Sequence, residues 1–174
     1  MSERRIRPGV PRRIRQSLGP RIDAAVRTVS DARCRVRSSE YVGTVTLDIA
    51  DFEGRLYEAG FSWDPVSLYH RTPSGTEPNG SWVYRPSVLA DRQLHVVLFA
   101  QARDRIDLYA HDEYSWVRHP VKHAKRERIH REAGAAEMRR VLDRMDVDHV
   151  HEPRPLRTAS HLLQRVRDWR RTEE

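Results

Sequence analysis

Histidine and carboxylate side chains are concentrated in residues 107–123, which read DLYAHDEYSWVRHPVKH. Both side-chain types suit general acid–base chemistry or the binding of a divalent metal. No motif of a known reaction class, such as a phosphate-binding glycine loop or a GxSxG turn, accompanies them. The candidate catalytic residues of this segment are His111, Asp112, Glu113, His119 and His123.

The spacing of the histidines gives a weak signal. His119 and His123 are four residues apart, so a helix would place them on one face. A histidine pair without a fuller signature such as HExxH is more often a surface feature than a metal site. We therefore assign no metal ligand and no cofactor from the sequence, and we favour a structural role for this segment over a ligand site.

The residues before the histidine pair alternate with the period of a half-buried strand. Ile106, Leu108 and Ala110 share one parity, and Asp112 continues it. A carboxylate on a core face must be paired or hydrogen-bonded, because burial of an unpaired charge is very unfavourable. We expect Asp112 to be tied to a neighbouring Arg, Tyr or His side chain.

The clearest helix signal lies at residues 49–59. Asp48 can cap the first turn, and Gly60 can adopt the left-handed conformation that ends a helix. The apolar stripe of this helix consists of Ile49, Phe52, Leu56 and Ala59.

Four or five strands are expected around this helix. They are predicted at 41–45, 66–71, 81–85, 94–100 and from 106 onward, with 147–150 as a further edge candidate. The connections are short, so the strands should pair antiparallel. A second helix should begin near Ile129, with Ala135, Met138, Leu142 and Met145 at helical spacing, which leaves residues 119–128 as a basic loop. A short helix is also predicted within 21–36. The sequence thus predicts an α+β fold, in the order β-α-β-β-β-β-α, with an antiparallel four- to five-stranded sheet and helices packed on one face.

Positive charge is concentrated in the N-terminal part of the chain. Residues 1–40 contain eleven arginines and four acidic residues, so their net charge is +7. This value equals the net charge of the whole chain. We divide the chain into a disordered Arg-rich arm at 1–20, a single α+β domain at 21–150, and a linker with a C-terminal amphipathic helix at 151–174. Guanidinium groups attract polyanions. The candidate nucleic-acid-binding residues are Arg4, Arg5, Arg7, Arg12, Arg13, Arg15, Lys122, Lys125 and Arg126.

Three functions remain open. The first choice is a non-enzymatic, nucleic-acid-associated domain that binds weakly and without sequence preference through its Arg-rich arm. The second is a small-molecule-binding protein or small enzyme that uses an Asp/His site around residues 111–123. The third is a scaffold that binds a protein partner through the C-terminal helix. The lone cysteine, Cys34, fits a reducing compartment, and no apolar run is long enough to span a membrane, so we expect a cytoplasmic protein.

Overall fold

The computed structural model describes residues 35–64, 70–102 and 104–152, together with residues 18, 19, 21, 24, 25 and 28. These residues form an α+β fold with one antiparallel sheet. The strands are β1 Tyr41–Val45, β2 Ser62–Trp63, β3 Gly80–Tyr84, β4 Arg92–Ala102, β5 Arg105–Tyr114 and β6 His149–Val150. The helices are α1 Ile49–Glu58, α2 Pro120–Ala124 and α3 Arg131–Arg144, and a 3-10 turn covers Ser38–Glu40. The strand order across the sheet is β2-β3-β4-β5-β1-β6.

The predicted count of four to five strands is too low. The sheet has six strands, and its two edge strands, β2 and β6, contain two residues each. Strands this short leave no alternating pattern to detect, although β6 falls within the edge candidate at 147–150. Most of the strand predicted at 66–71 lies outside the described residues. At its end, Arg71 makes an isolated parallel bridge to Arg35.

Helix α1 follows its sequence signals at both ends. The Asp48 side chain accepts a hydrogen bond from the backbone N–H of Ala50 at 2.8 Å. Gly60 has a φ of 87°, and the N–H of Phe61 donates to the carbonyl of Leu56 at 2.9 Å. A left-handed glycine followed by this return bond is a common helix C-terminus, so both predicted caps are confirmed.

One face of the sheet carries the main hydrophobic core. Helices α1 and α3 pack on it with Phe52, Leu56, Met138 and Leu142, and β5 contributes the predicted apolar parity of Ile106, Leu108 and Ala110. This arrangement confirms that two helices cover one face. Helix α2, which sequence reasoning assigned to a basic loop, has no buried residue and lies at the end of β5.

The opposite face of the sheet is also buried. Its apolar cluster consists of Val36, Tyr41, Val97, Phe99 and Tyr109. Segment 35–40 reaches segment 70–72 through a hydrogen bond from the Val36 N–H to the Arg71 carbonyl at 2.9 Å. The β5 side chains that alternate with the apolar ones were expected to face away from the core. Other segments of the protein cover them.

Helix α3 is joined directly to β5 at its N-terminus. His130 and Asp112 exchange two backbone hydrogen bonds, at 2.8 and 3.1 Å. One turn later, Gly134 lies so close to β5 that a Cβ there would be 2.3 Å from backbone atoms of His111 and Asp112. Only glycine permits this approach without a shift, so α3 fixes the part of β5 that carries His111 and Glu113.

Several predicted elements fall outside the described residues. They include most of the arm at 1–20 and the linker with its C-terminal helix beyond residue 152. Within 21–36, helical backbone is described at residues 21, 24, 25 and 28. In the part of the chain that the structure describes, none of the helices has the length and apolar character needed to cross a membrane.

Candidate metal site

The structure brings together three of the five predicted site residues. His111, Glu113 and His123 lie close to one another, with Glu113 Oε2 3.3 Å from His111 Nε2 and Glu113 Oε1 3.5 Å from His123 Nδ1. Asp112 points to the other face of the sheet, and its Oδ2 accepts from Arg92 Nε at 2.7 Å. His119 binds the exposed Asp91 through its Nε2 at 2.9 Å. Asp112 therefore pairs with an arginine, as expected, and is not part of the cluster.

The register of β4 and β5 supplies two further members of the cluster. His95 lies opposite His111, and Gln93 lies opposite Glu113, on the same face of the sheet. Directly opposed side chains on neighbouring strands are within contact distance. In the sequence, His95 is the only polar residue of the apolar run 94–100. Antiparallel pairing of this run with the alternating residues from Ile106 onward places His95 opposite His111.

Three donor groups converge within this cluster. His95 Nδ1 lies 3.2 Å from His111 Nε2 and 3.5 Å from Glu113 Oε1. The donor atoms of His95, His111 and Glu113 all lie within 4.8 Å of one another. Metal–ligand bonds of about 2.0–2.2 Å in a tetrahedral site place donor atoms roughly 3.3–3.6 Å apart. The separation of the two imidazole nitrogens is close to the one that zinc requires, and each nitrogen has a different carboxylate oxygen of Glu113 at a similar distance.

The second nitrogen of each histidine has a partner that orients the ring. His95 Nε2 is 2.8 Å from the hydroxyl of Ser81, and His111 Nδ1 is 3.0 Å from Glu40 Oε1. Glu113 in turn accepts a hydrogen bond from Gln93 Nε2 at 2.8 Å. Histidines that bind metals usually donate their other N–H to an oxygen in this way, which leaves the remaining nitrogen free to bind.

The cluster is closed to solvent and highly polar. His95, His111 and Glu113 have relative exposures of 0, 1 and 4%. Burial lowers the pKa of His95 to about 3, so this imidazole is neutral. Burial also acts to lower the pKa of His111, but the charges and hydrogen bonds of Glu113 and Glu40 outweigh it and raise the pKa to about 9.

The carboxylates in the cluster are ionised. Burial would raise the pKa of Glu113, yet the cationic His111 holds it below its ordinary value. The pKa of Glu40 is lowered in the same way: His111 outweighs the effect of burial, and the Arg37 N–H, which donates to Glu40 Oε2, adds to the shift. Two carboxylates thus surround one imidazolium. Arg131 Nε lies 3.5 Å from Glu40 Oε1, so the two carboxylates face two cations, and a divalent cation in place of the His111 proton would add one positive charge.

One more histidine, His70, borders the cluster. The ring of His70 is buried and packs against His95 and His111, with centroid distances of 5.5 and 6.1 Å. His70 Nε2 lies 2.6 Å from the guanidinium of Arg126, so the basic segment after α2 is tied to this face. His70, His95, Gln93 and Glu40 were not predicted as site residues. His70 and Glu40 come from distant segments, and nothing in their local sequence indicates the contact.

The predicted nucleic-acid-binding residues within the described chain lie on or beside α2. Lys122 and Lys125 are exposed, and the Lys122 ammonium lies over the Tyr114 ring at 4.7 Å. Arg126 is only half-exposed because its guanidinium contacts His70. The arginines from Arg4 to Arg15 fall outside the described residues.

No family model, curated protein or solved structure matched this chain in the comparisons.

Proposed function

We propose that this protein binds a divalent transition metal, with Zn²⁺ as the best fit, through His95, His111 and Glu113. One observation carries the proposal: His95 Nδ1 and His111 Nε2 are buried 3.2 Å apart, and the two carboxylate oxygens of Glu113 lie beside them, Oε1 at 3.5 Å from His95 Nδ1 and Oε2 at 3.3 Å from His111 Nε2. Imidazole and carboxylate together suit Zn²⁺, whereas Mg²⁺ and Ca²⁺ prefer ligand sets made of oxygen atoms.

The proton positions support the same proposal. His95 is neutral, and a proton on its Nε2 facing Ser81 leaves a lone pair on Nδ1. A proton on His111 Nδ1 faces Glu40. Only the proton on His111 Nε2 has to leave before a metal can bind, because the remaining donors already carry lone pairs.

The competing arrangement is a buried ion cluster held together by the His111 proton alone. It uses the same contacts, and it would also explain the raised pKa of His111. The two arrangements differ in a measurable way. A metal site takes up one ion per chain, whereas a proton-bridged cluster has no specific affinity for Zn²⁺.

Two neighbouring residues provide a matched test. Glu113→Gln removes a proposed ligand and keeps its shape, while Asp112→Asn makes the same change on the opposite face of the sheet. Isothermal titration of metal-free protein with Zn²⁺ should show one ion bound per wild-type chain. Glu113→Gln should weaken binding by more than the roughly 10–100-fold loss that removal of a supporting hydrogen-bond partner produces. Asp112→Asn should keep the wild-type affinity.

Two outcomes would reject the metal function. One is the absence of saturable Zn²⁺ binding by the wild-type protein. The other is equal weakening in the Asp112 and Glu113 variants, which would indicate general damage to β5 in place of ligand loss.

A second proposal is weak, sequence-independent binding of nucleic acid by the arginine arm and the α2 segment. The exposure of Lys122 and Lys125 supports it, and Arg126 is a poorer candidate because it is engaged by His70. Each neutralised phosphate releases counterions, so the affinity should fall steeply with salt. Deletion of residues 1–20 should remove most binding and leave the thermal midpoint nearly unchanged. If a Lys122→Ala and Lys125→Ala double variant loses more binding than the deletion, the arm is not the main contact.

A further inference from the structure

The proposed metal site has three protein ligands, and a tetrahedral site requires a fourth. Zinc sites that are closed to solvent are almost always tetrahedral with four protein ligands, whereas catalytic sites keep one position for water. His95, His111 and Glu113 are at most 4% exposed, so their arrangement resembles a closed site. A fourth donor should therefore come from a nearby side chain.

Most neighbouring polar atoms are already engaged. His70 Nε2 is 2.6 Å from the Arg126 guanidinium, which can only donate. Gln93 uses its NH₂ on Glu113 and its carbonyl oxygen on Arg85, at 2.8 Å each. Glu40 receives the Arg37 N–H on Oε2, and its Oε1 faces both His111 Nδ1 and Arg131 Nε. These groups support the three ligands and have other partners to give up before they could bind metal.

His123 also has a partner to give up, the carbonyl oxygen of Tyr114, but its imidazole already contacts a proposed ligand. It lies on α2, its side chain is only 10% exposed, and its Nδ1 is 3.5 Å from Glu113 Oε1. His95 Nδ1 lies at the same distance from the same oxygen. We propose that His123 is the fourth ligand of the site, so that metal binding closes α2 onto the sheet. This inference rests on the proposed metal-binding function.

Ligation requires a change at His123. Its Nδ1 lies 3.1 Å from the carbonyl oxygen of Tyr114, and it is outside the group of three donors that are within 4.8 Å of one another. The ring must turn, or α2 must move toward the cluster. Helix α2 has five residues and none of them is buried, so a small displacement breaks little packing.

The test compares His123→Ala with His119→Ala. Both histidines belong to the α2 segment, but His119 binds Asp91 at the surface. Zn²⁺ affinity would be measured by competition with a chromophoric chelator, and the number of bound imidazoles by X-ray absorption at the zinc edge. We expect three imidazoles in the wild-type protein and two in His123→Ala, with affinity weakened by about tenfold or more. His119→Ala should match the wild type in both measurements.

The outcomes separate the two proposals. If the wild-type protein binds no Zn²⁺, both are overturned. If it binds one ion with two imidazoles, and His123→Ala binds as tightly, the metal function stands and the role of His123 is rejected. Equal losses in the two histidine variants would also reject it, because disturbance of α2 would then account for the effect.

Discussion

Asp112 and Glu113 are adjacent in the chain but have different environments, because successive side chains of a strand point to opposite faces. Asp112 lies at the edge of the helical face, where Arg92 donates to its carboxylate and to its backbone carbonyl. Glu113 lies in the buried polar cluster with two histidines and Gln93. The face of the sheet on which each side chain lies therefore decides its role: Asp112 forms a structural ion pair, and Glu113 is a candidate ligand.

The Asp112 pair should stabilise the fold without contributing to metal binding. Asp112→Asn should lower the free energy of unfolding by about 1 kcal/mol, because both partners are partly exposed and solvent screens their attraction. Urea denaturation of metal-free protein would measure the change. The more exposed Asp91, which pairs with Arg118 and His119 at the surface, offers a comparison, and Asp91→Asn should shift the denaturation midpoint less than Asp112→Asn. A gain in stability for Asp112→Asn would contradict the structural role.

At the scale of elements, the crossing of α3 over β5 positions the cluster. The backbone bonds between His130 and Asp112 and the close approach at Gly134 hold β5 at residues 111–112. The strand contributes His111 and Glu113 on its other face, while the β4 register adds His95. Helix and strand therefore fix the spacing of the proposed ligands from the opposite side of the sheet.

Two glycine substitutions test this packing. Gly134→Ala should destabilise the protein by about 1–3 kcal/mol, because the added Cβ would meet rigid backbone of β5. Gly54→Ala, within α1, meets no atom within 4 Å and should stabilise by about 0.5–1 kcal/mol. Thermal or urea unfolding of the two variants gives the comparison. Similar effects of the same sign at both positions would be inconsistent with the close α3–β5 contact.

At the scale of the whole molecule, the sheet separates two kinds of interior. Helices α1 and α3 cover an apolar core on one face, and segments 35–40 and 70–72 approach the other face. The second interior contains the polar cluster, where burial of charge is unfavourable unless the charges are balanced. A bound divalent metal would link β4 to β5 through His95, His111 and Glu113.

Zinc should therefore raise the stability of the folded protein. Free Zn²⁺ at about 100 times its dissociation constant should add about 2.7 kcal/mol, provided that the unfolded chain does not bind it. Comparison of unfolding in chelator and in Zn²⁺ would measure the gain. The gain should shrink at acidic pH, because protons compete for the histidine nitrogens. Glu113→Gln serves as the control and should show little or no gain at neutral pH.

Elements with local signals were predictable from the sequence alone. The cap at Asp48, the left-handed Gly60 and the apolar stripe predicted α1, and alternation predicted β5 with its apolar face toward the helices. Helical periodicity likewise predicted the core side of α3, with Met138 and Leu142. Each of these signals depends on residues within about one or two turns of one another.

The members of the candidate site could be identified only from the packing of segments that are distant in sequence. His95 joins His111 through a strand register, while Glu40 and His70 arrive from segments far away in sequence. The polar parity of β5 gave no sign of burial, because alternation alone cannot tell whether a polar face meets water or another part of the chain. Metal-ligand geometry depends on distances set by packing between such segments, and local periodicity carries no information about those distances.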